Sequence, residues 1–180
     1  MKRTETHIDG LVIIAPQIHG DERGWFYESF NADKLRDLDI HFAPKQASHS
    51  SSRKGILRGL HFQNPPKPMA KLVRCTRGRL FDVAVDLRSD SPTYKEWFGL
   101  ELSAENKEML LVPAGFAHGF YALEDCELQY LINETYNQEL DAGIAWNDPE
   151  IAVDWPLEGD PILSARDQTL PTLSNFNNPF

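Results

Sequence analysis

The residues best suited to chemistry are concentrated in residues 54–74, which read KGILRGLHFQNPPKPMAKLVR. His61 lies near the centre of this stretch, three residues after Arg58, and Lys71 follows a proline-rich turn. Cationic groups and an imidazole in a strand-like, alternating sequence seldom make a good core, so they predict a polar pocket built on a rigid sheet. A histidine with an ordinary pKa of about 6.5 is suited to act as a base near neutral pH. An ammonium is suited to stabilise negative charge that develops during a reaction.

The elements that must position these groups are predicted to be short β-strands. The predicted strands span residues 11–15, 25–30, 55–63, 69–77, 79–87, 96–102, 108–113, 117–123 and 127–135. Turn sequences rich in Gly, Pro, Asn, Asp and Ser separate many of them. Many short strands at nearly even spacing indicate an all-β antiparallel sandwich or barrel.

The remaining segments are assigned to connections and short peripheral helices. Residues 31–38 are predicted to form a helix with Asn31 as its N-cap, and residues 46–52, QASHSSS, a polar loop. Residues 164–167 are predicted to open a final helical turn, and the tail at 174–180 to be loosely ordered. No internal repeat or low-complexity linker divides the chain, which predicts a single domain over residues 1–180.

Residues 79–87 show the alternation of a half-buried strand. One face is apolar and consists of Phe81, Val83, Val85 and Leu87. The other face carries two carboxylates, Asp82 and Asp86, with Ala84 between them. We interpret these carboxylates as solvated or supporting groups rather than as a catalytic acid pair.

Composition and charge exclude several classes of function. The 180 residues include 41% hydrophobic and 25% charged residues, as in a folded globular protein. The net charge of −9 opposes binding to nucleic acid or to an acidic membrane surface, but it permits a local basic pocket for a small anion. The apolar run at 11–15 is too short for a signal sequence, and no later run approaches a membrane span. Cys75 and Cys126 have neither metal-ligand nor disulfide-framework spacing, which favours a reducing, cytoplasmic environment.

Two motifs match the frame of the cupins, a class of jelly rolls that use their interior as an active site. The first runs from Gly55 through His61 to Lys71, and the second is PAGFAH, which ends at His118. The second metal-binding histidine and the glutamate of the usual first motif are replaced here by Gln63 and Lys71. A protonated lysine has no lone pair and repels a divalent cation, so the sequence predicts a cupin-type jelly roll without a metal ion.

Several further motifs resemble those of one enzyme family. They are RGLHFQ, KLVRC, FDVAVDLR, LSAEN, VPAGFAHGF, WNDP and LSARD, and they occur in order between residues 21 and 167. They are similar to the dTDP-4-dehydrorhamnose 3,5-epimerases, which act in dTDP-L-rhamnose biosynthesis. The resemblance implies an isomerase that inverts C3 and C5 of dTDP-4-dehydro-6-deoxy-D-glucose, gives dTDP-4-dehydro-L-rhamnose and uses no cofactor.

The resemblance also implies a role for individual residues. His61 would be the catalytic base, Asp167 its partner, Tyr130 the acid, and Lys71 would lie near the C4 oxygen. The nucleotide sugar would be bound by Arg23, Glu28, Gln46, Ser48, Arg58, Lys71, His118, Tyr136, Asp141 and Arg166. Of these, Tyr136 would stack on thymine.

A homodimer is expected from the N-terminal aromatic segment at 25–30, WFYESF, because edge strands in such barrels need cover. The resemblance implies that this segment reaches the partner's pocket and brings Arg23 and Glu28 into it.

Three positions depart from the family pattern. Ser48 stands where the family commonly has Asn, Ala47 where an acidic residue is common, and Met69 where Gln is frequent. These changes concern the nucleotide loop and the choice of substrate more than the chemistry.

The implied chemistry agrees with elementary principles. The protons on C3 and C5 are acidic because both carbons flank the C4 ketone, which stabilises the carbanion as an enolate. The enzyme then needs only a base, a cation or donor near the oxygen, and an acid on the opposite face.

Without the resemblance, the same residues also fit structural roles. A histidine in a strand is more often a hydrogen-bonded structural residue, and His118 fits a satisfied buried histidine equally well. Tyr130 and Tyr136 also suit wall positions with one end in water. Arginines such as Arg23, Arg58 and Arg166 commonly form ion pairs at the protein surface.

Three other functions compete with the first. One is a C3-only epimerase acting on a related nucleotide 4-keto-6-deoxy sugar, which the sequence does not separate from a 3,5-epimerase. A second is a non-catalytic cupin that binds sugar nucleotides, for which His61, Tyr130 and Asp167 should diverge in space. The third, a metal-dependent oxygenase, is weakened by Gln63 and Lys71.

Overall fold

Two antiparallel sheets face each other in the computed structural model, which describes all 180 residues, Met1–Phe180. The strands are β1 Lys2–Glu5, β2 Val12–Ala15, β3 His19–Asp21, β4 Gly24–Phe26, β5 Gln46–Ser52, β6 Leu57–Gln63, β7 Lys71–Arg77, β8 Arg79–Asp86, β9 Trp97–Ser103, β10 Met109–Val112, β11 Phe116–Ala122, β12 Cys126–Ile132 and β13 Asp141–Gly143. One sheet has the order β1-β2-β10-β7-β12-β5 and the other β13-β6-β11-β8-β9, while β3 and β4 form a separate hairpin. The prediction of an all-β jelly roll is confirmed.

Three apolar clusters hold the layers together. The central cluster lies between the sheets, where Val73 and Leu128 of one sheet pack with Ala84 and Phe120 of the other. A second cluster covers the outer face of the six-stranded sheet, and a third covers the outer face of the five-stranded sheet with C-terminal residues such as Trp155. Both faces of each sheet therefore contribute buried apolar surface, the main stabilising term in such a fold.

The predicted N-terminal helix is present as α1, Ala32–Arg36. The side-chain oxygen of Asn31 accepts hydrogen bonds from the backbone N–H groups of Asp33 and Lys34, each at 3.1 Å, so Asn31 is the N-cap that the sequence predicted. Leu35 is the buried residue of α1 and packs on the outer face of the six-stranded sheet. Two short 3-10 turns, Asp167–Thr169 and Leu173–Asn175, complete the peripheral helices.

The prediction of a polar loop at residues 46–52 is wrong, because these residues form strand β5. All seven pair with β12, in register from Gln46 opposite Ile132 to Ser52 opposite Cys126. The partner strand satisfies the backbone groups of β5 on one side, so a sequence without β-branched residues still becomes an edge strand. The aromatic strand predicted at 25–30 is also shorter, since β4 ends at Phe26, and β1, β3 and β13 were not predicted.

The alternation in β8 is confirmed, but its carboxylates are not solvated. Val83 and Val85 pack beneath the C-terminal segment, and the opposite face turns towards the space between the sheets. Asp82 and Asp86 have no exposed surface. They are therefore supporting groups, each with its own partners in the interior.

The chain end, predicted to be loosely ordered, is packed instead. The rings of Phe176 and Phe180 lie edge-on to Phe62, with centroid separations of 5.3 and 5.8 Å. The carbonyl oxygen of Phe180 also accepts a hydrogen bond from the backbone N–H of Ser89 at 3.1 Å. The aromatic residues of the chain end thus extend the apolar cluster on the outer face of the five-stranded sheet.

None of the helices combines the length and the apolar character that crossing a membrane requires.

Candidate active site

The predicted base and its partner form a direct pair. His61 lies in β6 and Asp167 opens the 3-10 turn Asp167–Thr169, with 2.5 Å between Nε2 and Oδ1. Burial by itself raises the pKa of Asp167, but hydrogen bonds with His61 and Ser164 outweigh it and hold the pKa of this carboxyl below its usual value. An ionised carboxylate only accepts, so Nε2 carries the shared proton and Nδ1 remains as the basic nitrogen.

Lys71 is the first residue of β7, in the six-stranded sheet. Its ammonium donates a hydrogen bond to the carbonyl oxygen of His61 at 3.2 Å, which brings the cation beside the proposed base. Burial lowers the pKa of Lys71 to about 8, although the carboxylates of Asp82 and Asp141 oppose this change. The group is therefore a cation at neutral pH that loses its proton far more readily than an ordinary lysine.

Two cavities meet at the same three side chains. One has a volume of about 300 Å³ and the other about 190 Å³, and His61, Lys71 and Tyr130 line both. Tyr130 lies in β12, so its strand belongs to the sheet opposite β6. His61, Lys71 and Tyr130 line one space and Asp167 lies behind His61, whereas the non-catalytic alternative expected His61, Tyr130 and Asp167 to diverge.

Besides Lys71, the larger cavity is lined by five of the residues predicted to bind the nucleotide sugar. They are Gln46, Ser48, Tyr136, Asp141 and Arg166. The Tyr136 hydroxyl donates to Asp141 at 3.1 Å, and Arg166 pairs with the same carboxylate at 2.8 Å. Gln46 accepts from the backbone N–H of Tyr136 at 3.1 Å. Because Tyr136 is 54% exposed, its ring forms an accessible wall at the mouth.

The smaller cavity contains Arg58 and His118, which were also predicted to bind substrate. Arg58 donates to the hydroxyl of Ser52 and to the backbone oxygen of Ser51, both at 3.0 Å. Arg58 and Lys71 give this cavity two cationic groups, and none of its lining residues is acidic. The local basic pocket that the net charge permitted is thus present.

Arg23 and Glu28 are not brought to this site within one chain. Arg23 follows β3 in the exposed hairpin and is paired with Asp21 at 2.6 Å, and Glu28 is bound by Lys34 and Asn31. Arg23 lines a different cavity, formed by the hairpin itself. Their predicted role therefore depends entirely on a second chain.

The residues do not fit the metal ion that most cupins hold. No group of three or more His, Cys, Asp or Glu side chains is placed to bind a metal. Gln63 is occupied by the loop backbone, donating to the carbonyl of Lys67 at 2.6 Å and accepting from the N–H of Asn137 at 2.8 Å. Lys71 adds a positive charge at the place of the missing glutamate.

The sequence did not identify every residue of the site. Ser50 lines the smaller cavity and Ile132 the larger one, and neither was singled out. Ser50 was missed because residues 46–52 were assigned to a loop. Alternate side chains of a strand point to the same face, so Gln46, Ser48 and Ser50 all face the cavities. A two-residue period in the sequence of this segment was therefore the signal that could have identified Ser50.

A cupin-type jelly roll with a histidine of a His–Asp pair, a lysine and a tyrosine around one cavity has the groups that a cupin-like epimerase working by acid–base chemistry needs. The family model described as dTDP-4-dehydrorhamnose 3,5-epimerase matches residues 5–175, and the chain belongs to that family.

Similar proteins agree with this assignment. A dTDP-4-dehydrorhamnose 3,5-epimerase from Methanothermobacter thermautotrophicus is 49% identical over 167 residues, covering 91% of this chain and 90% of its own. The crystal structure of an epimerase from Legionella pneumophila Philadelphia 1 in complex with dTDP-4-keto-L-rhamnose superimposes with a TM-score of 0.94 at 43% identity, covering 98% of this chain and 94% of that one. The crystal structure of a 3'-monoepimerase from Streptomyces bikiniensis in complex with dTDP-quinovose superimposes with a TM-score of 0.87 at 34% identity, covering 94% of this chain and 86% of that one.

Proposed function

We propose that this protein is an isomerase that inverts C3 and C5 of dTDP-4-dehydro-6-deoxy-D-glucose and yields dTDP-4-dehydro-L-rhamnose. The observation that carries the proposal is the His61–Asp167 pair, 2.5 Å apart, in a cavity shared with Lys71 and Tyr130. Membership of the epimerase family and the sugar nucleotide held by the Legionella relative support the substrate.

His61 begins the reaction by taking a proton from the carbon next to the ketone. Its Nδ1 lone pair is the acceptor, while Asp167 holds Nε2–H, fixes the tautomer and stabilises the imidazolium that forms. The electrons of the broken C–H bond move to the C4 oxygen and give an enolate. The Lys71 ammonium stabilises this charge, which exists only once the proton has moved.

Tyr130 completes the inversion by donating its phenolic proton to the same carbon from the other side. The location of β6 and β12 in opposite sheets supports this division of labour, because His61 and Tyr130 approach the cavity from different walls. The enolate collapses to the ketone as the new C–H bond forms. His61 then releases its extra proton to solvent and Tyr130 takes one up, after which the sequence can be repeated at the second carbon.

The two cavities suit the two ends of a nucleotide sugar. In the larger one, Gln46, Ser48, Asp141 and Arg166 supply polar contacts for the nucleoside, and the exposed ring of Tyr136 offers a face on which thymine can stack. In the smaller one, Arg58 and His118 complement anionic or hydroxyl oxygens.

The active unit is proposed to be a homodimer in which each chain completes its partner's pocket. Trp25 and Phe26 of the hairpin are 61% and 66% exposed, an unusual position for large aromatic side chains. A second chain covering them would also receive Arg23 and Glu28. We place the protein in the cytoplasm, because both cysteines are free and buried as in a reducing compartment.

A C3-only epimerase acting on a related nucleotide 4-keto-6-deoxy sugar is the second candidate. It is favoured by the likeness to the Streptomyces 3'-monoepimerase, whose fold matches with a TM-score of 0.87. A single base beside the ketone can remove a proton from C3 alone as readily as from C3 and then C5.

The decisive experiment incubates the purified protein with dTDP-4-keto-6-deoxyglucose in D₂O and follows the sugar by NMR. Deuterium at C3 and C5 with inversion at both carbons is the expected result. Deuterium and inversion at C3 alone would select the second candidate. No deuterium at either carbon, with the nucleotide sugar bound, would leave a non-catalytic binding protein.

A further inference from the structure

A second histidine–carboxylate pair lies within the jelly roll, and the steps above make no use of its carboxylate. Nε2 of His118 is 3.0 Å from each oxygen of Asp82. His118 is directly opposite His61 in the register of β11 and β6, and Asp82 lies in β8 on the other side of β11. His118 is 6% exposed and lines the smaller cavity, and Asp82, which has no exposed surface, lies behind it in the interior.

The geometry of this pair restricts the His118 ring. Both carboxylate oxygens face one nitrogen, and an ionised carboxylate accepts hydrogen bonds but donates none, so Nε2 must carry a proton. The ring cannot turn without breaking the contact. Nδ1 of His118 is therefore the nitrogen left to contact a ligand in the cavity. The His61–Asp167 pair is arranged in the same way, with Nε2 bound to the carboxylate and Nδ1 left over.

The charge of Asp82 has no cationic side chain among its direct hydrogen bonds. A fully buried carboxylate is costly unless hydrogen bonds and a nearby positive charge offset its lost hydration. Lys71 is the cation that supplies this balance, because the charge of Asp82 stabilises its ammonium in the same interior. The balance works in both directions, so Asp82 also favours the charged form of Lys71.

We propose that Asp82 is a positioning residue for the epimerisation, which fixes the His118 ring against the substrate and supplies the buried negative charge that balances the Lys71 ammonium. The proposal rests on the proposed function, since it assigns Asp82 to the reaction carried out in this cavity. Asp82 acts only through His118 and Lys71 and has no direct role with substrate.

The consequence for pH follows from the groups around Lys71. The titratable or charged side chains that face it or share its cavities are Arg58, His61, Asp82, His118, Tyr130, Tyr136, Asp141 and Arg166. Burial lowers the pKa of Lys71 to about 8, and Asp82 is the first of the carboxylates that counter this effect. Removing the charge of Asp82 lowers the pKa of Lys71 further, so the ammonium is lost at a lower pH.

Asp82→Asn tests this inference, because the amide keeps an oxygen that can accept from His118 but removes the charge. Asp86→Asn is the matched control, since Asp86 is equally buried on the same strand but is bound by Arg88, Ser91 and Thr93 outside the cavity. We expect the alkaline limb of the kcat–pH profile to move to lower pH in Asp82→Asn, with kcat reduced at least about tenfold. The limb should stay in place in Asp86→Asn. An unshifted limb in Asp82→Asn would overturn the proposal.

Two measurements without turnover separate this proposal from the proposed function. With ¹⁵N-labelled histidine, the wild-type protein should show His118 with Nε2 protonated, and a bare Nε2 would overturn the assignment even if Asp82→Asn did not fold. With ¹³Cε-labelled lysine, the titration midpoint of Lys71 should lie lower in Asp82→Asn than in the wild type. Both results are expected even if the protein failed to epimerise the dTDP sugar, and that failure would reject only the proposed function.

Discussion

His61 and Tyr130 approach one cavity from opposite sheets, as the proposed division between a base and an acid requires. His61→Asn should abolish both solvent exchange and epimerisation, because no enolate forms. Tyr130→Phe keeps the ring but loses the phenolic proton, so His61 can still remove a proton, exchange it with solvent and return it to the same face. NMR in D₂O should then detect deuterium uptake with little inversion.

Equal loss of exchange in both variants would contradict this assignment. It would mean that Tyr130 is needed to form the enolate, and the acid on the opposite face would have to be another residue.

Lys71 is proposed to act on charge that develops only during proton transfer. Lys71→Met should therefore lower kcat by about 10²–10³, the usual cost of losing one such stabilising group. Binding of dTDP should change much less, since the ground state carries no enolate. Steady-state kinetics measure the change in kcat, and calorimetric titration with dTDP measures the change in binding. A raised KM with an unchanged kcat would reassign Lys71 to substrate binding.

The same lysine should cost stability at neutral pH. Burial sets the pKa of Lys71 to about 8 in the folded protein, below its unfolded value, so the unfolded chain binds the extra proton between these two values. The unfolding free energy should consequently rise with pH above about 8, within the range where other groups permit folding. Lys71→Met should remove this rise of stability with pH, and urea unfolding at pH 7 and at alkaline pH measures the difference. The comparison is made across pH because the variant also leaves the buried charge of Asp82 without its balancing cation. An unfolding free energy that still rises above about pH 8 in Lys71→Met would assign the dependence to another group.

Only part of this chemistry could be predicted from local sequence. His61 and Lys71 lie in one strand–turn–strand unit, where alternation and charge mark them as candidates for a pocket. Asp167 is 106 residues from His61, and no local pattern indicates that the two side chains meet. Tyr130 and Asp167 were assigned through the resemblance alone, because their pairing depends on how the two sheets close.

At the scale of elements, the position of both histidines depends on close contact between β6 and β11. A Cβ added at Gly119 would lie 2.6 Å from the backbone oxygen of Arg58 and 3.0 Å from Cα of Gly59. The strands must separate to admit any side chain, and His61 and His118 are paired across this same contact.

Gly119→Ala is therefore expected to lower the unfolding free energy by about 1–3 kcal/mol and to reduce kcat as well. Gly20→Ala is a useful control for stability, because its nearest added contact is 3.7 Å away in the exposed hairpin. Urea unfolding and steady-state kinetics provide the comparison. A Gly119→Ala protein with the stability and kcat of the wild type would show that the strands tolerate the added methyl group without moving the histidines.

The elements themselves were predicted well where hydrophobic alternation is strong. β8 and β11 carry buried apolar residues and were placed to within about a residue or two, the usual uncertainty of strand ends. β5 and β13 were missed because polar residues form strands only when a neighbour pairs with them. Their existence is decided by the sheet and not by their own sequence.

For the whole molecule, the exposed hairpin predicts the oligomeric state. Light scattering at micromolar concentration should give the mass of a dimer. Replacing both Trp25 and Phe26 with Ser should produce a monomer with reduced affinity for dTDP, because Arg23 and Glu28 would no longer reach a partner's pocket. Far-UV circular dichroism should remain that of the folded protein. A wild-type monomer with full activity would contradict the proposal.

The place of β5 at the edge of its sheet bears on how selectivity could diversify in this scaffold. Its cavity-facing side chains, Gln46, Ser48 and Ser50, belong to a strand with a single neighbour, β12. Substitutions there alter the wall of the cavity while leaving the apolar clusters and the His61–Asp167 pair in place. Two of the three departures from the family pattern, Ala47 and Ser48, lie in this strand. An edge strand of this kind lets mutation and selection explore new sugar nucleotides at little cost to folding, which makes β5 the first target for a library aimed at altered substrates.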